Sequence, residues 1–234
     1  MPAIRLEHVA KIYKNSKRGV TGTLEVDLKI EQGEFVFITG ARGAGKSTLM
    51  ELLAGEIEPD RGRIWLGGDD LTHASRRKSA ELRRCIGAVL QDSELRPTET
   101  VFKNLASAKR LEYLRDKFVN APVIEKALAL VGMPGSGDRY PPELSGSECR
   151  RVELARAIWH SPSILVLDGL TERADEDTAW DMLHLLSELN DRGTTVIMAT
   201  GESKFVNIMN KRVVALVEGK VHSDIQRGKY GYIE

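Results

Sequence analysis

The sequence predicts an α/β fold: a mostly parallel sheet covered by helices on both faces, preceded by an antiparallel β region and interrupted by a helical stretch. Three observations carry that expectation. A glycine-rich loop, Gly40-Ala41-Arg42-Gly43-Ala44-Gly45-Lys46-Ser47, stands between an apolar run, Phe35 to Ile38, and a segment of helical character, Ser47 to Ala54. The last third of the chain alternates helical and strand patterns, as chains that build parallel sheets do. The N-terminal region instead holds two segments, Ile4 to Val9 and Leu24 to Ile30, whose apolar positions partly alternate as in antiparallel strands.

Taken in order, the elements after the loop helix begin with a short strand around Arg63 to Leu66 and a basic helix near Ser79 to Arg84. A strand then runs from Ile86 to Leu90 and ends at Gln91. From about Val101 to Val131 the pattern is helical, with Leu111, Leu114 and Phe118 recurring at helix spacing, and it breaks at the loop Gly132 to Gly137. A long helix from Glu148 to Trp159 leads to Ile164-Leu165-Val166-Leu167-Asp168, a buried strand closed by a carboxylate. Helix Asp177 to Asn190, strand Thr195 to Ala199, helix Ser203 to Met209 and strand Val213 to Val217 complete the pattern.

At 234 residues and 41% hydrophobic, the chain is long enough for one domain with a subdomain. Thirty-four basic and 34 acidic residues cancel, so bulk attraction to nucleic acid is not expected, and Arg76-Arg77-Lys78 and Arg83-Arg84 read as solvated helix faces. Cys85 and Cys149 lack metal-ligand spacing and suit a reducing compartment as free thiols. No stretch approaches the roughly 20 apolar residues of a membrane span, and the N-terminus does not resemble a signal peptide, so a membrane role would come through a partner.

The loop has the G-x-x-x-x-G-K-[ST] form. Its glycines allow the backbone to wrap phosphate, so that successive N–H groups and the positive helix end face the anion. Lys46 is then placed for the β- and γ-phosphates of ATP and the Ser47 hydroxyl for Mg²⁺. Asp168, at the carboxyl end of an apolar strand, suits a carboxylate that holds Mg²⁺ through its water shell.

Leu144-Ser145-Gly146-Ser147-Glu148, standing before a helix with Arg151-Val152-Glu153-Leu154-Ala155-Arg156-Ala157, resembles the signature motif and following helix of ABC ATPases. With the loop and the Asp168 strand, it makes nearly the whole chain resemble an ABC nucleotide-binding domain. The resemblance implies a helical subdomain over about residues 92–160, between the Q-loop and the Asp168 strand. Gln91 matches the family's Q-loop glutamine, which touches the metal and relays nucleotide state to a transmembrane partner. Tyr13 matches the aromatic that stacks on adenine. Residue for residue, the ATP-binding set is Tyr13, Gly40, Ala41, Arg42, Gly43, Ala44, Gly45, Lys46, Ser47 and Thr48, with Ser47, Gln91 and Asp168 at the metal. In this family two subunits sandwich two nucleotides head to tail, so Ser145, Gly146, Ser147 and Glu148 would serve the partner subunit's nucleotide.

Within the family the chain most resembles FtsE-type cell-division ATP-binding subunits, through Arg5 to Tyr13, Gly40 to Leu49, Leu82 to Gly87, Thr100 to Leu105 and Arg227 to Tyr232. That resemblance implies a cytoplasmic subunit, peripheral on the inner face of the cell membrane, that pairs with an FtsX-like transmembrane protein and works as a homodimer or heterodimer. Exporter and lipoprotein-release ATPases are near relatives, and the degenerate half of a heterodimeric transporter is a further alternative.

The chain departs from the family where catalysis resides. The glutamate that follows the strand aspartate is Gly169, and the histidine that follows the next strand is Gly201, so no catalytic residue is assigned. Ser147 replaces the second signature glycine, Arg42 a small polar residue and Leu170 a proline, whereas Asp175 matches the D-loop aspartate. Loss of a general base costs about 10²–10⁴-fold and loss of a contact to developing charge about 10²–10³-fold, without multiplying simply. Glu172 and Glu202 lie near in sequence, but as substitutes they would need the loop rebuilt. The expectation is a subunit that binds Mg-ATP and hydrolyses it slowly or not at all. Side chains are expected to be tolerated at both 169 and 201, so that restoring both residues together raises hydrolysis most.

Overall fold

The computed structural model describes residues 2–15, 19–91, 95–107, 121–172 and 174–231. Leu111, Leu114 and Phe118 lie outside the described residues, as does Tyr232. A single sheet of ten strands forms the framework among the described residues. At its centre Phe35–Thr39 (β3), Ile164–Asp168 (β7) and Thr195–Ala199 (β8) run parallel, in the order β3, β8, β7, with Ile86–Val89 (β6) beyond β7. All three central strands are buried at every position. Their unbroken apolar runs follow from that two-sided burial.

The strand period of two divides those runs between two cores. Val36, Ile38, Ile164, Val166, Ile197 and Ala199 join one cluster, whereas Phe35, Phe37, Leu165, Leu167, Val196 and Met198 join the other. The first cluster takes Leu49, Met50, Leu52 and Leu53 from the helix that follows the glycine-rich loop, Lys46–Leu53 (α1). Each of those side chains is inaccessible to solvent. Burying each contributes about 1.5–3 kcal/mol, which anchors the loop against the sheet. The second cluster is covered by Gly146–Ile158 (α5), Glu176–Asp191 (α6) and Ser203–Met209 (α7), together with Val101–Ala106 (α3) and Ala121–Leu130 (α4).

The N-terminal segments pair antiparallel as expected, but extend further than the apolar pattern shows, over Pro2–Asn15 (β1) and Gly19–Glu31 (β2). Arg61–Leu66 (β4) pairs with β1, and the two-residue Asp69–Asp70 (β5) closes that edge. The basic helix, Arg76–Arg83 (α2), starts three residues before the expected Ser79, because the Ser75 hydroxyl accepts the Lys78 N–H at 3.3 Å and caps it. Arg76, Arg77 and Arg84 are exposed, in keeping with a solvated face, whereas Lys78 and Arg83 are half-buried and Arg83 lies against Gly55. Arg212–Val217 (β9) lies on the other side of β3 and continues into Lys220–Ile225 (β10), a strand not anticipated. The Arg212 guanidinium holds that hairpin, donating to Asp224 at 2.8 and 2.7 Å and to Glu34 at 2.6 Å.

Parallel strands present their carboxyl ends on one edge, where such sheets bind ligands. The chain leaves β3 into Gly40, β6 toward Gln91, β7 into Gly169 and β8 into Thr200. Two backbone bonds fasten that edge, from Gly169 N–H to Ala199 O and from Thr200 N–H to Ile38 O, each 3.2 Å. Among the described residues no helix is long and apolar enough to cross a membrane.

Candidate functional site

The glycine-rich loop connects β3 to α1 in a conformation that requires glycine. Gly40 has φ +144°, and a Cβ there would stand 2.4 Å from the Leu216 carbonyl oxygen. Both the left-handed backbone and the close approach exclude a side chain. Gly45 precedes α1 with φ +99° and provides no side-chain cap, which leaves the leading N–H groups of the helix without a capping side chain. Such an end attracts anions. Lys46 folds back over the loop, its Nζ donating to Gly40 O at 2.7 Å and Ala41 O at 3.1 Å. Ala41, Arg42 and Gly43 are exposed along its rim, and Ala44 is buried beneath.

Neighbouring elements bring Gln91 and Tyr13 to the start of the loop helix. The Ser47 hydroxyl donates to Gln91 Oε1 at 3.4 Å, joining the start of α1 to the segment after β6. Tyr13 is 41% exposed, which opposes a merely packed strand residue, and its hydroxyl lies 3.2 Å from Thr48 Oγ1. Asp168 is buried at the end of β7 and pairs in register with Ala199 of β8. Ser47, Gln91 and Asp168 supply hydroxyl, amide and carboxylate oxygens, the hard donors that suit Mg²⁺ when water completes its octahedron. Among the described residues no cluster of three or more His, Cys, Asp or Glu could hold a metal ion.

The two departures from the family pattern differ physically. Among the described residues, nothing stands within 4 Å of where a side chain at Gly201 would project. Gly169 has φ +61°, and a Cβ there would meet the Glu172 carboxyl group, Oε2 at 3.0 Å and Cδ at 3.1 Å. The expectation that both positions accept side chains therefore holds for 201 and is corrected for 169, where a left-handed non-glycine residue costs about 1 kcal/mol or more. Glu202 is engaged: its carboxylate accepts the Thr171 hydroxyl, and its N–H donates to Thr200 Oγ1 at 3.0 Å.

The signature segment caps α5. Ser145 accepts the Glu148 N–H at 3.2 Å, and Glu148 accepts the Ser145 N–H at 2.7 Å, a reciprocal capping box. The Ser145 backbone bond, then Arg139 at 2.8 Å, hold the Glu148 carboxyl below the usual range. Glu148 thus shapes the helix end. Ser147, which replaces a glycine of the family pattern, uses its side chain: its hydroxyl donates to Asp175 at 2.5 Å. Asp175 also caps α6 through the Thr178 N–H at 2.8 Å. Sequence reasoning read Ser147 as a signature residue that departs from the family glycine, but no local signal pointed across 28 residues to Asp175.

These bonds, first from Ser147 and then from the Thr178 N–H and hydroxyl, lower the Asp175 pKa to about 2. Because the folded-state value lies below the ordinary 3.8, the carboxylate's contribution to stability is fully present above about pH 4 and is lost as pH falls toward 2. An NMR titration of the Asp175 carboxyl carbon is expected to show its midpoint near the lowered value in the native chain and a higher one in Ser147→Gly. A midpoint unchanged by that substitution would show that Ser147 does not hold it.

A family model described as ABC transporter matches residues 24–172, the span from β2 through the glycine-rich loop and signature helix to the turn after Asp168. The chain belongs to the ABC transporter family. Among curated relatives of this ABC protein is the cell division ATP-binding protein FtsE of Bacillus subtilis, 37% identical over 97% of this chain and 98% of that one. FtsE of Mycobacterium tuberculosis is 40% identical over 97% and 98%. FtsE of Escherichia coli K12 is 35% identical over 95% and 98%. Among solved structures, the ATP-binding cassette MJ0796 superposes with a TM-score of 0.83 at 26% identity, covering 97% of this chain and all of that one. It is described there as a dimer in a post-hydrolysis state, bound to ADP and phosphate. The α/β ABC fold expected from the sequence is thereby shown.

Proposed function

We propose that this chain is the Mg-ATP-binding subunit of an FtsE/FtsX-like complex on the cytoplasmic face of the membrane, linked to cell division. Nucleotide draws two cassettes into a closed dimer and is hydrolysed slowly. The observation that carries this reading is the contrast within one site: the phosphate-binding loop is complete and held in shape, whereas Gly169 and Gly201 carry no group to activate water or meet the γ-phosphate. FtsE relatives over almost the whole chain support the division role, and the dimeric MJ0796 cassette supports pairing.

In this reading Gly40 to Thr48 cradle the phosphates, with Lys46 turning from its carbonyl partners toward the β- and γ-oxygens. Ser47, Gln91 and Asp168 hold Mg²⁺, which neutralises phosphate charge when bound. Ser145 and the N–H groups of Gly146 and Ser147 serve the nucleotide of the opposite subunit, whether that subunit is a second copy or another ABC chain. Tyr13 stacks on the base. Tyr13→Ala is expected to weaken ATP binding by about 1 kcal/mol, roughly fivefold, through lost stacking area. Calorimetry checks it, and an unchanged affinity would return Tyr13 to an ordinary strand position.

Phosphate release by the purified chain, with and without a co-reconstituted FtsX-type membrane protein, tests the whole reading. Slow release that the membrane protein alters supports it. Failure of the two proteins to associate would remove the FtsX-like partner, and rapid release by the chain alone would remove slow hydrolysis.

A further inference from the structure

We propose that Glu172 is the catalytic carboxylate of this cassette's slow hydrolysis, delivered by the turn after β7 in place of the side chain that Gly169 lacks. The inference rests on the reading of the chain as an Mg-ATP-binding cassette and adds the group that activates water.

Its first support is position. Measured from where the Cβ of a residue at 169 would stand, the Glu172 carboxyl carbon is 3.1 Å away and its oxygens are 3.0 and 3.5 Å away. A glutamate at 169 would hold its own carboxylate oxygens about 3–4 Å from that Cβ by covalent geometry alone. An acidic group therefore stands at the expected range from the end of β7, although it belongs to a residue three positions later.

The turn that places it is fastened by backbone bonds at Gly169, Glu172 and Ala174. Gly169 N–H is bonded to Ala199 of β8 at 3.2 Å, Glu172 N–H returns to Gly169 O at 3.2 Å, and Ala174 N–H returns to Thr171 O at 3.1 Å. Thr171 is 1% exposed, and its hydroxyl donates to Glu202 on the loop after β8. The left-handed Gly169 reverses the chain and leaves the space that the Glu172 carboxyl occupies. A glycine at 169 and an acid at 172 thus fit one another sterically.

Of the two nearby acids, Glu172 is the one unoccupied among the described residues. The Glu202 carboxylate is committed to Thr171. Glu172 is exposed, and among the described residues its carboxylate has no hydrogen-bond or ion-pair partner. An unengaged carboxylate can accept a proton from water. In the step assigned to it, the water oxygen forms a bond to the γ-phosphorus and its proton passes to Glu172. The bond from that phosphorus to the β–γ bridging oxygen breaks, with its electron pair remaining on ADP. Phosphate and ADP are the products, and nothing is oxidised or reduced.

Glu172→Gln keeps shape and removes the base. It is tested in the native chain and in Gly201→His, which widens the range of measurable rates, with Mg-ATP as the only ligand. The expected result is a fall in kcat of about 10²–10⁴-fold in both backgrounds with the ATP dissociation constant within about twofold of its parent. Acid-quenched protein should contain bound ATP rather than ADP, and the ATP dimer should outlast that of its parent by a similar factor. Unchanged kcat and unchanged dimer lifetime overturn the inference while leaving ATP binding intact. So does a native chain that binds ATP but releases no phosphate above background. Loss of ATP binding by the native chain itself would instead overturn the cassette reading on which the inference rests.

Discussion

Replacing Lys46 by alanine is expected to lower affinity for Mg-ATP by about 10²-fold. A hydrogen bond to a charged group contributes about 1.5–3 kcal/mol, and loss of two such bonds to the β- and γ-phosphates gives at least that factor. The side chain does two things in this structure. Its Nζ bonds to Gly40 O and Ala41 O brace the loop before nucleotide arrives, and on binding the ammonium exchanges those carbonyls for phosphate oxygens. Alanine removes both the charge and the internal brace. Isothermal calorimetry decides the matter, and an affinity equal to that of the native chain would mean that the loop is not the nucleotide site.

The second large effect is a gain. Gly201→His is expected to raise ATP turnover by about 10²-fold, the usual scale of a contact to charge developing in the transition state. The open space at Gly201 permits the new side chain at little structural cost. Gly169→Glu is expected to do less, because it strains a left-handed backbone and drives into the Glu172 carboxyl group. Sequence alone favours the double replacement as the most active protein. The geometry instead ranks Gly201→His first, with the double no faster. Multiple-turnover phosphate release on the native chain, both single variants and the double tests that order. A double variant well above Gly201→His would show that position 169 accepts its glutamate without penalty.

The parallel core was legible because its burial is written in composition: Phe35 to Ile38, Ile164 to Leu167 and Thr195 to Ala199 are apolar at almost every position. Each of these three runs became a central strand. The last strand, β10, was not legible, because Lys220-Val221-His222-Ser223-Asp224-Ile225 buries little and is held by backbone pairing and the Arg212 bridges to Asp224. Helix starts were displaced where a hydroxyl cap decides them. Ser75 and Ser145 each extend a helix beyond its apolar pattern.

At the site, the loop was fully legible because its chemistry requires a fixed spacing of glycines, lysine and serine. The absences at 169 and 201 were legible too. Glu172 and Glu202 were visible as nearby acids, but their placement was not, since the return of Glu172 over Gly169 depends on a positive φ, and the bonds of Ser147 to Asp175 and Thr171 to Glu202 join residues far apart in sequence. Such contacts follow from how β7, β8 and the two helix starts are packed side by side, which no local pattern encodes.

The central claim is that Mg-ATP closes a dimer that slow hydrolysis allows to persist. Ligand at about 100 times its dissociation constant stabilises the state that binds it by roughly 2.7 kcal/mol per site, enough to shift a monomer–dimer equilibrium measurably. Time-resolved light scattering on the purified chain, with phosphate release followed in the same sample, measures both halves of the claim. The account predicts monomer with Mg-ADP, dimer with millimolar Mg-ATP, and decay of the dimer in step with slow phosphate release. A chain that remains monomeric in Mg-ATP, or a dimer that forms equally with Mg-ADP, would contradict it.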